Sequence, residues 1–295
     1  MKKTNHKKNL EAVTGYLFIS PWLFIFFTFI LGSLVYALYL SFTKYNLLSP
    51  PQWWSLEGYK RVLTDSLFLE KALPNTFKYV LIVVPLQTII SLVLAFAMDQ
   101  KLRFRRWFRT IFYLPSVTSS VVISIIFIWL FAAQGIFNQI IGSKINWLND
   151  VKTAFYVIMG MNIFTTSGTL MLIFLSGLQD ISPTIYEAAQ IDGANAFQTF
   201  FRITIPLMRP VIFFVVTVSL IGCFQVFDQI FVMTSGGPLD STTTITYLIY
   251  KWAFRDTTIK MGQASALAVI LTLIILVVTL LQRRVIEGSG SSSDR

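Results

Sequence analysis

Six long apolar stretches leave this chain little choice of fold. The first, Tyr16 to about Phe42, carries no charged side chain, and Pro74-Asn75-Thr76 opens a second that reaches about Met98. Four more follow at about 112–133, 153–176, 210–233 and 261–281. A bilayer core about 30 Å thick is crossed by roughly 20 apolar residues as a helix, because every backbone N–H and C=O must be satisfied within the segment. Composition agrees: of 295 residues, 55% are hydrophobic and only 13% charged, too few polar groups to clothe a soluble domain of this size. The expected fold is an all-α polytopic membrane protein with six transmembrane helices.

Orientation follows from the cations. Lys101, Arg103, Arg105, Arg106 and Arg109 crowd the short link between the second and third stretches, and Lys and Arg are retained on the cytoplasmic side. Lys2, Lys3, Lys7 and Lys8 precede the first span and Arg283-Arg284 follow the last, so both termini are expected to be cytoplasmic. The first stretch is too long for a signal-peptide core and lacks an A-x-A cleavage pattern, which makes it an uncleaved span. This divides the chain into a cytoplasmic tail (1–15), a transmembrane domain (16–284) and a flexible Gly/Ser-rich tail (285–295). Pro50-Pro51 and Trp53-Trp54 mark an outer segment at headgroup level over 43–74. A net charge of +10 in so apolar a chain points to the lipid bilayer, and not to nucleic acid, as the partner of the basic loops. The single cysteine, Cys223, excludes an intrachain disulfide, and the single histidine, His6, sits in the Lys-rich tail where it is expected to be solvated.

Between the fourth and fifth spans lies a polar island, Ser182 to Pro206. Ser182 is a good N-cap, Pro183 suits the first helical position, and a helix through Ile191 should end at Asp192-Gly193, where Gly takes the positive φ of a turn. A second amphipathic helix should follow, with Phe197, Phe200, Phe201, Thr204 and Ile205 on one face, opposite Asn195, Gln198, Thr199 and Arg202. Extended to 180–209, the island has two cations against Asp180, Glu187 and Asp192, which suits a surface meeting protein better than one meeting lipid.

Catalytic chemistry is missing. There is no G-x-x-x-x-G-K-[ST] loop for ATP, no nucleophile–His–acid set, no G-x-S-x-G elbow and no metal-spaced cluster, so the chain is expected not to be an enzyme and to hold no cofactor. What remains is polarity inside spans, which hydrocarbon penalises. The fourth span holds Asn162, Thr165, Thr166, Ser167, Gly168 and Thr169 near its middle; the fifth holds Ser219, Gly222, Cys223, Gln225, Asp228 and Gln229. Ser219, Gly222, Cys223, Val226 and Gln229 form one stripe, while Asp228 lies close enough to the outer end to reach water. Two readings stay open: a pathway for a polar substrate, or helix packing with hydroxyls bonded back to the i−4 carbonyl. Gln87 and Gln263 read as helix glue.

Glu187-Ala188-Ala189, Gly193 nine residues before Ile203, and Ile205-Pro206 resemble the EAA loop of binding-protein-dependent ABC importer permeases, with Ile205 where Leu is usual. The longer run Tyr186 to Ala194 resembles the carbohydrate-importing, maltose-type branch. Weaker similarities span about 16–284: Asn75-Thr76; Phe112-Tyr-Leu-Pro115 with Trp129, Gly135 and Asn138; and Thr234-Ser-Gly-Gly-Pro238 with Thr242-Thr243-Thr244 and Tyr250. Gly58-Tyr59 stands where that branch often has Asn-Tyr.

The resemblance implies a permease subunit for a carbohydrate, an oligosaccharide in particular, in the cytoplasmic membrane of a prokaryote. It implies a second homologous permease, two cytoplasmic ABC ATPase subunits that carry the ATP and Mg, and an extracytoplasmic sugar-binding protein. The ATPases would dock on the loop at Glu187, Ala188, Ala189, Asp192, Gly193 and Pro206 and drive alternating access. By the same resemblance, Thr165, Thr166 and Thr169, with Ser219, Cys223 and Val226 and with Gln225 beside them, fall where maltose-type relatives contact sugar; Asp228 completes the candidate path. Two alternatives remain at this point: a glycerol-3-phosphate or glycerophosphodiester permease of the same family, and an ion-coupled secondary transporter.

Overall fold

The computed structural model describes residues 2–100 and 103–288, with side chains at 14–100 and 103–284. Contacts divide the chain into two compact units, Met1–Val62 with Trp252–Val269, and Leu63–Lys251 with Ile270–Arg295.

In the first unit, α1 (Lys2–Ile25), a wide π-helical turn (Phe26–Leu31) and α2 (Gly32–Ser41) form one apolar rod, of which Thr14–Ser41 is long enough to cross a membrane. A two-residue antiparallel ribbon follows, β1 (Thr43–Lys44) against β2 (Gln52–Trp53), pairing Thr43 with Trp53. The Phe42 and Trp53 rings stack across it at 5.9 Å. Short α3 (Glu57–Leu63) sets Arg61 over the Trp54 ring at 4.7 Å. Gly262, near the start of α15 (Met261–Gly288), packs against the Thr43 carbonyl so closely that a Cβ there would overlap it.

The second unit is built on α4 (Leu73–Asp99), α8 (Ala154–Gln179) and α12 (Arg209–Phe224). Ala95 and Met98, Met171, Phe174 and Leu178, and Val215 interlock in its core. Lipid is as apolar as these side chains, so close packing and internal hydrogen bonds, not exclusion from water, hold such helices together. Small residues permit the approach. At Gly168 a Cβ would overlap the carbonyl oxygen of Phe112 and come within 2.8 Å of Ser116 Oγ; at Gly177 it would meet Val211 at 2.7 Å.

Among the described residues five helices are long and apolar enough to span a bilayer, and a sixth span results if α5 (Arg105–Val117) and α6 (Ser120–Leu130) count as one. The fold is therefore the expected all-α polytopic one, but three spans differ from the sequence reading. The third is not straight: α5 and α6 meet at 99° because Thr118 and Ser119 are extended, just beyond Pro115, which cannot donate to the helical ladder. The fifth breaks after Phe224 and resumes as α13 (Asp228–Met233). The last helix continues to Gly288, past the expected start of the flexible tail; residues 289–295 of that tail, Lys101 of the basic link and the His6 side chain lie outside what is described.

The weaker motifs prove to be structural locks. Asn138 is buried and donates to the carbonyls of Ala132, Ala133 and Ile145, while its Oδ1 accepts from Ser143 Oγ and Trp147 Nε1, each at 2.8 Å. It thereby organises the loop around α7 (Ile136–Ile141). Asn75 Nδ2 donates to the Thr243 carbonyl at 3.0 Å, and Thr76 Oγ1 accepts from the Ile245 N–H at 2.9 Å, where α14 (Ile245–Tyr250) begins. So the Asn75-Thr76 pair pins the Thr242–Thr244 run to the head of α4.

Candidate functional site

Two constellations stand out, and the same two helices connect them. The first is a polar cleft of about 420 Å³ framed by α4, α5, α8, α12, α13 and the Thr118–Ser120 break. Thr165, Thr166 and Thr169 reach it from about halfway along α8, and Ser219 and Cys223 from α12, so five of the eight expected path residues share one wall system.

The other three do not. Gln225, Val226 and Asp228 are absent from the lining. The helical register ends at Phe224, so the stripe is lost there: Val226 turns inward, its carbonyl accepting from Thr244 Oγ1 at 3.3 Å, while Gln225 and Asp228 are exposed. Gln229, one turn later on α13, returns to the cleft.

The hydroxyls are both bonded back and presented. Thr165 Oγ1 donates to the Asn162 carbonyl at 3.0 Å, and Thr166 Oγ1 lies 2.8 Å from both the Asn162 carbonyl and Gln87 Oε1. Asn162 Nδ2 donates to Tyr79 Oη at 2.7 Å, and Gln87 Nε2 lies 3.7 Å from Cys223 Sγ. This chain of bonds ties α4, α8 and α12 together and fixes the cleft wall. Gln87 is thus glue, as read, but also lining. Ser116 was missed. Its Oγ donates to the Thr165 carbonyl at 2.5 Å and accepts from the Thr169 N–H at 3.2 Å, inserting into the α8 ladder where Gly168 lets α5 come close. Thr118 and Ser120 were missed with it, because a straight third span would not have turned them here. No residue lining the cleft is charged.

The second constellation joins the far end of α8 to α12. As expected, α9 (Pro183–Ile191) starts after Ser182 with Pro183 in its first turn. Gly193 then has φ +75°; its N–H donates to the Gln190 carbonyl at 3.1 Å, and the Ala194 N–H to the Ala189 carbonyl at 2.9 Å. These two bonds are a Schellman closure, which satisfies the last carbonyls of α9 and turns the chain sharply. Ala189 is buried beneath it. Asn195 and Gln198 form a reciprocal capping box that starts α10 (Ala196–Thr199).

The expected second amphipathic face is redrawn. A wide π-helical turn over Phe200–Thr204 leads into α11 (Ile205–Leu207), just ahead of Pro206, whose ring would strike the Arg202 carbonyl in a regular helix. Thr204 is buried and Phe200 packs edge-on to Phe96 at 5.1 Å, whereas Phe197 is left 71% exposed. Ile191, at the end of α9, is 87% exposed. Glu187, Ala188, Asp192 and Gly193 are also exposed, and Pro206 is half-buried. The hairpin therefore presents two acids beside bare apolar side chains, a mixture that marks protein contact.

This fold, with its broken spans, polar interior cleft and stiff helical hairpin between two cleft-lining helices, defines a multi-pass membrane subunit built to move one surface with another. Residues 67–288 match the family described as Binding-protein-dependent transport system inner membrane component, and the chain belongs to that family. It is 35% identical over 95% of its length to "Probable ABC transporter permease protein YesP" of Bacillus subtilis (strain 168), covering 92% of that protein. It is 32% identical over 93% of its length to "Arabinooligosaccharides transport system permease protein AraP" of Halalkalibacterium halodurans, covering 88%. In fold it resembles a chain of a bacterial alginate ABC transporter crystallised with an alginate pentasaccharide-bound periplasmic protein, at a TM-score of 0.82 and 20% identity over 94% of this chain and 95% of that one. The protein is an ABC transport permease of the inner membrane.

Proposed function

We propose that this chain is the permease subunit of an importer for a carbohydrate, an oligosaccharide in particular, worked by separate ATPase subunits. The observation that carries this is the continuity of α8, the hairpin and α12. The helices that present Thr165, Thr166, Thr169, Ser219 and Cys223 to the cleft are the two that the hairpin joins. Movement of the hairpin is thus movement of two cleft walls, which is what alternating access needs. An uncharged lining rich in hydroxyls and amides suits sugar hydroxyls. The absence of a lining cation argues against a phosphate diester or monoester as cargo.

In this reading the hairpin faces the cytoplasm and docks on the ATPase through Glu187, Asp192, Ile191 and Phe197. ATP and Mg belong to two ATPase subunits, and a second homologous permease and a sugar-binding protein complete the importer. This chain performs no covalent chemistry. Both termini are cytoplasmic.

The test is blockage. Thr166→Leu and Ser219→Leu fill the cleft with branched apolar bulk and remove hydroxyls worth about 0.5–1.5 kcal/mol each as hydrogen bonds. In proteoliposomes both variants are expected to abolish sugar uptake while the loaded binding protein still stimulates ATP hydrolysis. Normal uptake by both would place the sugar route elsewhere.

A further inference from the structure

The break in the third span exposes two helix ends to the cleft, and they are not equivalent. The last carbonyls of α5 are served by Thr118, whose Oγ1 donates to Leu114 at 3.0 Å and whose N–H donates to Pro115 at 3.3 Å. The first N–H groups of α6, which have no intrahelical partner, receive no side-chain cap from Ser119. Eleven residues long, α6 thus turns an uncapped, partially positive end toward the cleft, where Ser120 is part of the lining.

A second observation concerns unpartnered polar atoms in the same cleft. Ser219 is 5% exposed and its Oγ has no hydrogen-bond partner; Asn162 is 7% exposed and its Oδ1 has none; Ser120 Oγ has none either. All three residues line the cleft. Buried hydroxyls and amides are rarely left so unless a ligand completes them. Neither a carboxylate nor a cation is present in the lining, so nothing there repels a single negative charge, and nothing matches the double charge of a phosphate.

We infer that the cleft takes an acidic oligosaccharide, the carboxylate of a uronic-acid unit seating on the N–H groups that open α6, with the Ser120 and Ser219 hydroxyls donating to it. Asn162 Oδ1 accepts from a ring hydroxyl of the same unit. The inference rests on the sugar-permease reading above and narrows its substrate class. A neutral sugar would fill the volume but leave the positive helix end without an acceptor of matching charge.

The experiment uses the whole importer in proteoliposomes with its binding protein, and three probes: digalacturonate, its dimethyl ester and lactose. Ser120→Pro removes one N–H and one hydroxyl with little strain, because proline suits the first helical position and Ser119 already has the extended ψ of 130° that proline demands of its predecessor. Ser120→Ala removes the hydroxyl alone. The binding protein's own preference cancels when the acid-to-ester uptake ratio of a variant is divided by that of the parent, and ester uptake reports that the variant is folded. Ser120→Pro is expected to lower the ratio about tenfold, the scale of one charge-assisted hydrogen bond at a helix start, and Ser120→Ala to lower it less. An unchanged ratio in Ser120→Pro overturns the inference. So does a parent that imports lactose but not digalacturonate, an outcome that leaves the sugar-permease reading standing. Failure of the parent to import any of the three, with no sugar-dependent ATP hydrolysis, sinks both.

Discussion

Replacing Gly193 isolates backbone strain in the hairpin from every other effect. The residue sits at φ +75°, and a Cβ built there would meet nothing within 4 Å, so side-chain volume by itself carries no cost within this chain. What an L side chain meets is the left-handed backbone, at about 1–2 kcal/mol. Relaxing φ would instead break the closure from Gly193 N–H to Gln190 and from Ala194 N–H to Ala189, two bonds worth about 0.5–1.5 kcal/mol each, and would swing α10 away. By either route the docking-competent hairpin loses roughly 1–2 kcal/mol, a factor of about 5–30 in its population. Binding-protein-stimulated ATP hydrolysis in the reconstituted importer, together with retention of the ATPase subunits on purification, reads this directly. Gly193→Val should be the poorest, Gly193→Ala intermediate, and Gly193→Asn near the parent, because Asn tolerates the left-handed region. Asn and Val are similar in size, so a loss that follows volume, with Asn as poor as Val, would refute the strain argument.

Three further outcomes are expected. Glu187→Lys should leave the protein in the membrane but weaken ATPase retention by about tenfold or more, since like charges at an interface are costly; parent-level retention would remove Glu187 from the contact. In a Cys223→Ser background, a cysteine at Lys144 should react with an impermeant thiol reagent added outside intact cells, and one at Gln190 should not; the reverse pattern would overturn the orientation of the six spans. Gly168→Ala should push α5 off α8 and break the Ser116 bonds, costing about 1–3 kcal/mol and visibly lowering the unfolding temperature, whereas an unchanged temperature would show that the contact is loose.

The sequence was most legible where structure is decided locally. Ser182, Pro183 and Gly193 act through their own dihedrals and nearest neighbours, so α9 begins and ends where those residues say it must. Thr165, Thr166, Thr169, Ser219 and Cys223 were also legible, because each lies within an unbroken helix whose 3.6-residue period holds. The reading fails where that period is interrupted without a punctuating residue. Nothing in Cys223-Phe-Gln-Val-Phe-Asp228 announces a break, so extrapolating the stripe carried Gln225, Val226 and Asp228 into a wall they do not reach. The wide turn before Pro206 shifted the second hairpin helix for the same reason. Ser116, Thr118 and Ser120 are ordinary residues of an apolar run. Their place at the cleft depends on Gly168, some fifty residues away, and no local pattern connects the two.

Both interruptions fall beside the cleft, and that coincidence has a physical reason. Inside a bilayer an interrupted helix strands backbone groups that lipid cannot satisfy, so a break survives only where protein or a polar cavity serves them. At the α12–α13 break the Val226 carbonyl is served by Thr244, and at the α5 end Thr118 serves the Leu114 and Pro115 carbonyls. Only the α6 end is left to the cavity itself. A straight third span would have needed no such arrangement, and it would also have closed the cleft, since Pro115, Ser116, Thr118 and Ser120 form one of its sides. The break is therefore what opens room for a cargo between α5, α8 and α12, and its unserved end is the feature of that room most able to tell one cargo from another.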